Sequence, residues 1–170
     1  MTVSIRVHAL TSADLPQVRD WMRASREAPA WSDADLANVV DGHLAGSPRQ
    51  RRGWAAATGD GELAGFVIAT ALRIAGAAAE CELEFLFVAP HLRRSGVGRG
   101  LLQQLIAWGG EIGATELWLE VRASNMAAQR LYAASGFVAV GLRPGYYLDP
   151  REDAVLMQRG IADSGHHAPL

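Results

Sequence analysis

The sequence predicts an α/β domain of the α+β kind, with one mixed, mostly antiparallel central sheet flanked by helices. Two observations carry that prediction. Short alternating or continuous apolar runs, joined by glycine turns, read as strands paired in hairpins. Segments with apolar residues three to four positions apart are interleaved with them, in the order β-α-α-β-β-β-α-β-α-β-β. The chain has 170 residues, 49% hydrophobic and 20% charged, enough for one domain with a substantial core. That domain is read over residues 1–159. A polar, aperiodic tail over residues 160–170 is expected to be disordered.

Residues 4–9 alternate and form the first strand. Thr11-Ser12-Ala13-Asp14 resembles a capping box, after which Leu15, Val18 and Met22 share a helical face. Residues 32–35 repeat the start signal for a second helix carrying Leu36, Val39, Val40 and Leu44. Residues 46–52, GSPRQRR, read as a basic loop. Residues 53–58 and 63–73 form a hairpin around Gly59-Asp60-Gly61, and residues 75–79 make another turn. Residues 81–88 are a strand with Cys81, Leu83, Phe85 and Phe87 on one face and Glu80, Glu82 and Glu84 on the other. Residues 99–112 have helical period and stop at Gly113; residues 116–121 are a strand. Residues 125–134 form a helix ended by Gly136, and residues 137–142 and 153–158 are closing strands around a loop containing GYYLDP.

Composition excludes several classes. The formal net charge is −2, so no global basic field points to nucleic acid. All positive side chains are Arg and none is Lys, so the chain cannot acetylate lysines of its own. Cys81 is the single cysteine, which rules out an internal disulfide or a cysteine metal cluster and reads as inert core. The five histidines lack ligand spacing, and no metal is assigned. The start MTVSIRVHAL lacks a signal-peptide pattern, and no apolar run reaches membrane-spanning length. A cytoplasmic protein, monomer or homodimer, is the expectation.

RRSGVGRG, residues 93–100, joins a strand to a helix. Glycines there allow close backbone approach, and free N–H groups at a helix start make a cradle for an anion such as a pyrophosphate. The absence of a Gly-Lys-Ser/Thr ending separates it from a nucleotide P-loop. Arg93-x-x-Gly96-x-Gly98 resembles the acetyl-coenzyme A signature of the GNAT acetyltransferase superfamily. Asn125-x-x-Ala128-x-x-Leu131-Tyr132-x-x-x-Gly136-Phe137 resembles its second hallmark. The string from Trp118 to Asn125, Tyr146-Tyr147 with Arg151-Glu152-Asp153-Ala154 and Met157, and Ala30-Trp31-Ser32 are similar to one branch, the bacterial ribosomal-protein-alanine N-acetyltransferases (the RimI family). The segment 46–52, the turn 75–79 and Pro144-Gly145 depart from that branch where the acceptor groove is expected.

The resemblance implies a GNAT fold, acetyl-CoA as co-substrate, and a protein or peptide N-terminus as acceptor, with a ribosomal protein as the model partner. It implies cofactor contacts from Leu86, Phe87, Val88, Arg93, Arg94, Ser95, Gly96, Val97, Gly98, Arg99 and Asn125. Tyr132 would protonate the thiolate and Glu120 would be the general base, while the histone-acetyltransferase branch places its base at Glu82. Trp31, Tyr146, Tyr147 and Glu152 would bind the acceptor. Beside these stand plainer readings: Glu120 paired with Arg122, Tyr132 as core, Glu82 on a solvated face, and the tyrosine pair as packing. The basic segment 49–52 could meet RNA or simply be exposed. A small-molecule amine or antibiotic as acceptor, and a non-catalytic acyl-CoA sensor, remain alternatives.

Overall fold

The computed structural model describes residues 4–42, 48–73 and 75–161. The strands are β1 (Ile5–Ala9), β2 (Arg49–Thr58), β3 (Leu63–Leu72), β4 (Ala79–Val88), β5 (Ala114–Arg122), β6 (Val138–Leu148) and β7 (Arg151–Gly160). The helices are α1 (Leu15–Ala24), α2 (Asp33–Asp41), α3 (Val97–Glu111) and α4 (Met126–Ala134), with a 3-10 turn at Pro90–Leu92. One seven-stranded sheet runs β1-β2-β3-β4-β5-β7-β6. All its pairings are antiparallel except β4 with β5, as the expected mixed sheet requires.

Each face of the sheet has its own core. Leu101, Leu102, Leu105 and Trp108 of α3 pack on Leu117, Leu119, Phe137 and Met157. Val18 and Met22 of α1 and Leu36 and Val39 of α2 pack on Phe66, Ile68 and Phe85 across the sheet. Ser32 and Asp35 close a full capping box at α2, with the Asp35 N–H 3.2 Å from Ser32 Oγ and the Ser32 N–H 2.8 Å from Asp35 Oδ2. At α1 the Asp14 carboxylate instead accepts from the Thr11 N–H at 2.8 Å and its hydroxyl at 2.7 Å.

Four expectations change. First, Arg49 to Arg52 are not a loop: they extend β2, paired opposite Leu72 to Ala69 of β3. Arg51 gives its charge to Glu84, at 2.7 and 3.0 Å, which fixes it against the sheet. Second, the expected single face of Cys81, Leu83, Phe85 and Phe87 is split. Ile68 lies opposite Phe85 and Ala69 opposite Leu83, so Glu84 is an extra residue, a β-bulge that reverses the alternation. Cys81 and Leu83 therefore face α3, while Phe85 and Phe87 face α1 and α2. Third, GYYLDP is not all loop, because β6 runs through Tyr146 and Tyr147 to Leu148. Fourth, Gly160 ends β7 and the Ile161 N–H reaches the Thr115 carbonyl at 2.8 Å, so the tail does not begin at 160. Leu44, placed on the second helix, and residues 162–170 lie outside the described residues.

Candidate active site

The site is built where β4 and β5 part. Their parallel pairing runs from Ala79–Ala114 to Leu83–Leu119 and stops there. The bulge at Glu84 turns β4 away just at that point. Beyond it, Phe85 to Val88 stay paired with β3 but have no partner strand on the β5 side. An extended ligand can add itself to that open edge as a strand would.

The edge leads to the start of α3. Gly96, with φ +94°, is the N-cap, and no side chain caps the helix. The first amides of α3 therefore face outward without an internal acceptor, the arrangement that favours an anion. Arg93, Arg94 and Arg99 flank the turn, with Arg94 itself at φ +68° and the Arg93 Nε reaching the Val88 carbonyl at 3.4 Å. The Ser95 hydroxyl closes the turn on the Leu92 carbonyl at 2.6 Å. Val97 is buried in the α3 core, so its backbone alone can meet a ligand. A Cβ on Gly96 would meet nothing within 4 Å, whereas one on Gly98 would come 2.8 Å from Leu131 Cδ2 of α4. Gly96 is thus required by its backbone angle, and Gly98 by helix packing.

The other wall comes from β5, α4, β6 and the link between α1 and α2. Glu120, 12% exposed at its side chain, is paired not with Arg122 but with Arg143 of β6, Nη1 to Oε1 at 2.9 Å. The same carboxylate lies beside Tyr146 and pushes the pKa of its hydroxyl up. The Glu82 carboxyl is also pushed up, first by partial burial, then by the charges of Glu120 and Glu84, against the pull of Arg143 and Arg49. Tyr132 is buried, and its hydroxyl is pushed up by burial and by the Glu27 carboxylate, which keeps it protonated. Burial and Glu27 also push Tyr147 up to about 12. The five predicted residues Glu82, Glu120, Tyr132, Tyr146 and Tyr147 therefore share one electrostatic neighbourhood.

Others are placed differently. The Asn125 side chain caps α4 by accepting from the Ala128 N–H at 3.1 Å, and its amide donates to Glu27 at 3.4 Å. Glu152 is held well below the usual carboxylate range by its hydrogen bond to Ser124 and by Arg122, so both its oxygens are engaged inside the fold. Trp31 sits under the Arg51 guanidinium, 4.5 Å from its ring centre, and lines a cavity of about 410 Å³ beside α1 and α2. Cys81 is buried core with its thiol raised to about 12 by burial and by Glu82. No group of three potential metal ligands occurs among the described residues. No helix among them is long and apolar enough to cross a membrane.

Sequence reasoning missed Glu27 and Arg143, and gave Arg122 only as a partner for Glu120. Arg122, 8% exposed at its side chain, donates to Glu152 at 3.2 Å and to the carbonyls of Pro150 at 3.2 Å and Asp149 at 3.0 Å. Its guanidinium also lies 4.1 Å from the Tyr147 ring centre and 3.7 Å from Glu27. It ties the β6–β7 turn to the link between α1 and α2. The clue available was its place two residues after Glu120 on the same strand face, but the partners are distant in sequence.

A split parallel strand pair, with an open edge running into an uncapped glycine turn, offers an extended ligand a strand edge and its anionic end a cradle. Residues 15–137 match the model of the acetyltransferase (GNAT) family, and the chain belongs to that family. The ribosomal protein bS18-alanine N-acetyltransferase of Escherichia coli K12 is 45% identical over 85 residues, 49% of this chain and 57% of that protein's length. The crystal structure of the ribosomal-protein-S18-alanine N-acetyltransferase from Escherichia coli superposes with a TM-score of 0.71 at 31% identity, covering 98% of this chain and all of that one. Arabidopsis thaliana NAA60, solved with a bisubstrate analogue, shares the fold with a TM-score of 0.80 at 24% identity over 95% of this chain and 100% of that one.

Proposed function

We propose that this chain is a cytoplasmic enzyme that moves an acetyl group from acetyl-CoA to the α-amine of a protein N-terminus, with a ribosomal protein whose N-terminal residue is alanine as the model acceptor. The open β4 edge between the anion cradle and the Glu120–Tyr132 cluster carries the reading. The pantetheine arm lies along Leu86, Phe87 and Val88, and the pyrophosphate sits on the amides of residues 94–99. A backbone N–H of the open edge polarises the thioester carbonyl. Glu120 receives the amine's proton, directly or through one water, as nitrogen bonds the carbonyl carbon. The carbon–sulfur bond then breaks, and Tyr132 gives its proton to the departing thiolate. An α-amine, with a pKa of roughly 7.7–8.0 against about 10.4 for lysine, is within reach of a carboxylate base near neutral pH.

Thiol release measured with acetyl-CoA tests this, offering peptides with a free N-terminal alanine alongside small amines. The peptides are expected to turn over fastest. Tyr132→Phe should lower their turnover by about 10²–10⁴-fold with cofactor affinity nearly intact. Faster turnover of small amines moves the acceptor to that class. Cofactor binding without thiol release from any amine makes the chain a sensor.

A further inference from the structure

The two arginines on the acceptor side are held very differently. Arg122 is buried and has a partner on every side. Arg143 is 59% exposed at its side chain. Its guanidinium makes the 2.9 Å ion pair with Glu120 and lies 5.7 Å from the Tyr146 ring centre. It also sits within the electrostatic reach of Glu82. The strand that carries it is irregular just there: the pairing of β6 with β7 slips between Arg143 and Tyr147, across Pro144-Gly145. The Gly145 N–H, freed from the ladder, is held by Asp153 Oδ1 at 2.8 Å. That bend brings an exposed cation over a carboxylate that is itself only 12% exposed.

We propose that Arg143 is a built-in competitor for the acceptor's amine: its guanidinium fills the cation position beside Glu120 that the amine must take. The inference rests on the reading of Glu120 as the residue that meets the amine. A protonated α-amine and a guanidinium are both cationic N–H donors, and one carboxylate edge cannot hold both in the same place. The guanidinium half of the pair is open to water, so an incoming cation that replaces its charge beside Glu120 can displace it. Tyr146, whose ring centre lies 5.7 Å from the guanidinium, supplies the ring on which the released Arg143 can stay. Arg143 is therefore a specificity-determining residue: it sets how strongly an acceptor must present its cation before the base is uncovered.

The test pairs kinetics with direct binding of methylguanidinium. Arg143→Ala should lower the KM of a peptide with a free N-terminal alanine by about two- to fivefold. The effect should fall on KM more than on kcat, and Arg143→Lys should keep the wild-type KM. In a nuclear magnetic resonance titration, methylguanidinium at millimolar concentration should perturb Glu120 and Tyr146 in Arg143→Ala. Wild type should not respond, because its own guanidinium is in place. Adding Glu120→Gln to the Ala variant should abolish the response. A raised KM in Arg143→Ala, or equal methylguanidinium responses in wild type and variant, overturns the proposal. If Glu120→Gln alone retains wild-type turnover, the base assignment fails, and the titration still decides whether Arg143 fills a cation site.

Discussion

The carboxylates divide by what surrounds them. Glu152 is held down by donors from Ser124 and Arg122, whereas Glu82 is pushed up by partial burial and then by Glu120. Glu82 therefore ionises less easily in the folded chain than in the unfolded one. A raised carboxyl pKa contributes stability below the ordinary carboxylate range and loses it as the pH rises through the folded value. At pH 7, above the ordinary carboxylate range, the folded state has lost that stability to the burial of Glu82 and to its neighbour Glu120. Glu82→Gln should then raise Tm at pH 7, with a gain that shrinks as the pH falls through the carboxylate range. Thermal melts of both proteins at pH 7 and pH 4 check this; a gain that grows toward acid is the contrary result. Much of this cluster was legible from motif positions: Glu120, Glu82 and Tyr132 all fall in it. Glu27 and Arg143 were not, because a charged residue in a link or on an edge strand reads as solvated until folding supplies its partner.

At the scale of elements, the divergence of β4 from β5 depends on features of unequal visibility. The glycine turn announced itself through its spacing. The bulge at Glu84 did not, since Glu80 to Phe85 alternates polar with apolar and Phe85 to Val88 is apolar throughout, a run that suits either register. Only pairing with β3 shows where the register slips. Gly65 is equally silent in sequence and stands opposite Val88; a Cβ there would lie 2.4 Å from the Phe87 carbonyl oxygen and 3.2 Å from the Val88 Cα. Backbone cannot swing aside as a side chain can. Gly65→Ala should therefore push the open edge of β4 outward, costing about 1–3 kcal/mol. Each kcal/mol corresponds to about 2–4 °C in Tm for a domain of this size. Gly98→Ala clashes with the methyl end of Leu131, which can turn away, and meets Val88 Cγ2 at an ordinary 3.6 Å, so it should change Tm less. Calorimetry adds a second check: Gly65→Ala should weaken acetyl-CoA binding because it displaces Phe87 and Val88. Equal stability losses at both glycines would show that the β3–β4 approach is softer than its geometry implies.

Across the whole molecule, the sheet is continuous on one side of Leu83 and Leu119 and open on the other. The half bearing β1 to β4 is covered by α1 and α2 on one face and α3 on the other, while β6 forms an exposed edge with Val138, Leu142 and Leu148 in solvent. Beyond Leu83 and Leu119 no strand pairing joins β4 to β5; Arg122, on β5, reaches across to Glu27 beyond α1. A ligand lying along the open edge replaces missing strand contacts and satisfies the uncapped amides of α3 together. Its binding energy is then coupled to the closure of the fold. Acetyl-CoA at about 100 times its Kd should stabilise the chain by about 2.7 kcal/mol. For a domain of this size that is a rise in Tm of about 5–11 °C. The location of the effect is more telling than its size. Hydrogen exchange should slow at the amides of residues 84–88 that point toward β5 and at residues 94–99. Residues 116–119, already paired with β7, should change little by comparison. Protection spread evenly along the chain would mean that the cofactor stabilises the fold without filling the divide between β4 and β5, and the cradle assigned to it would have to be sought elsewhere on the surface.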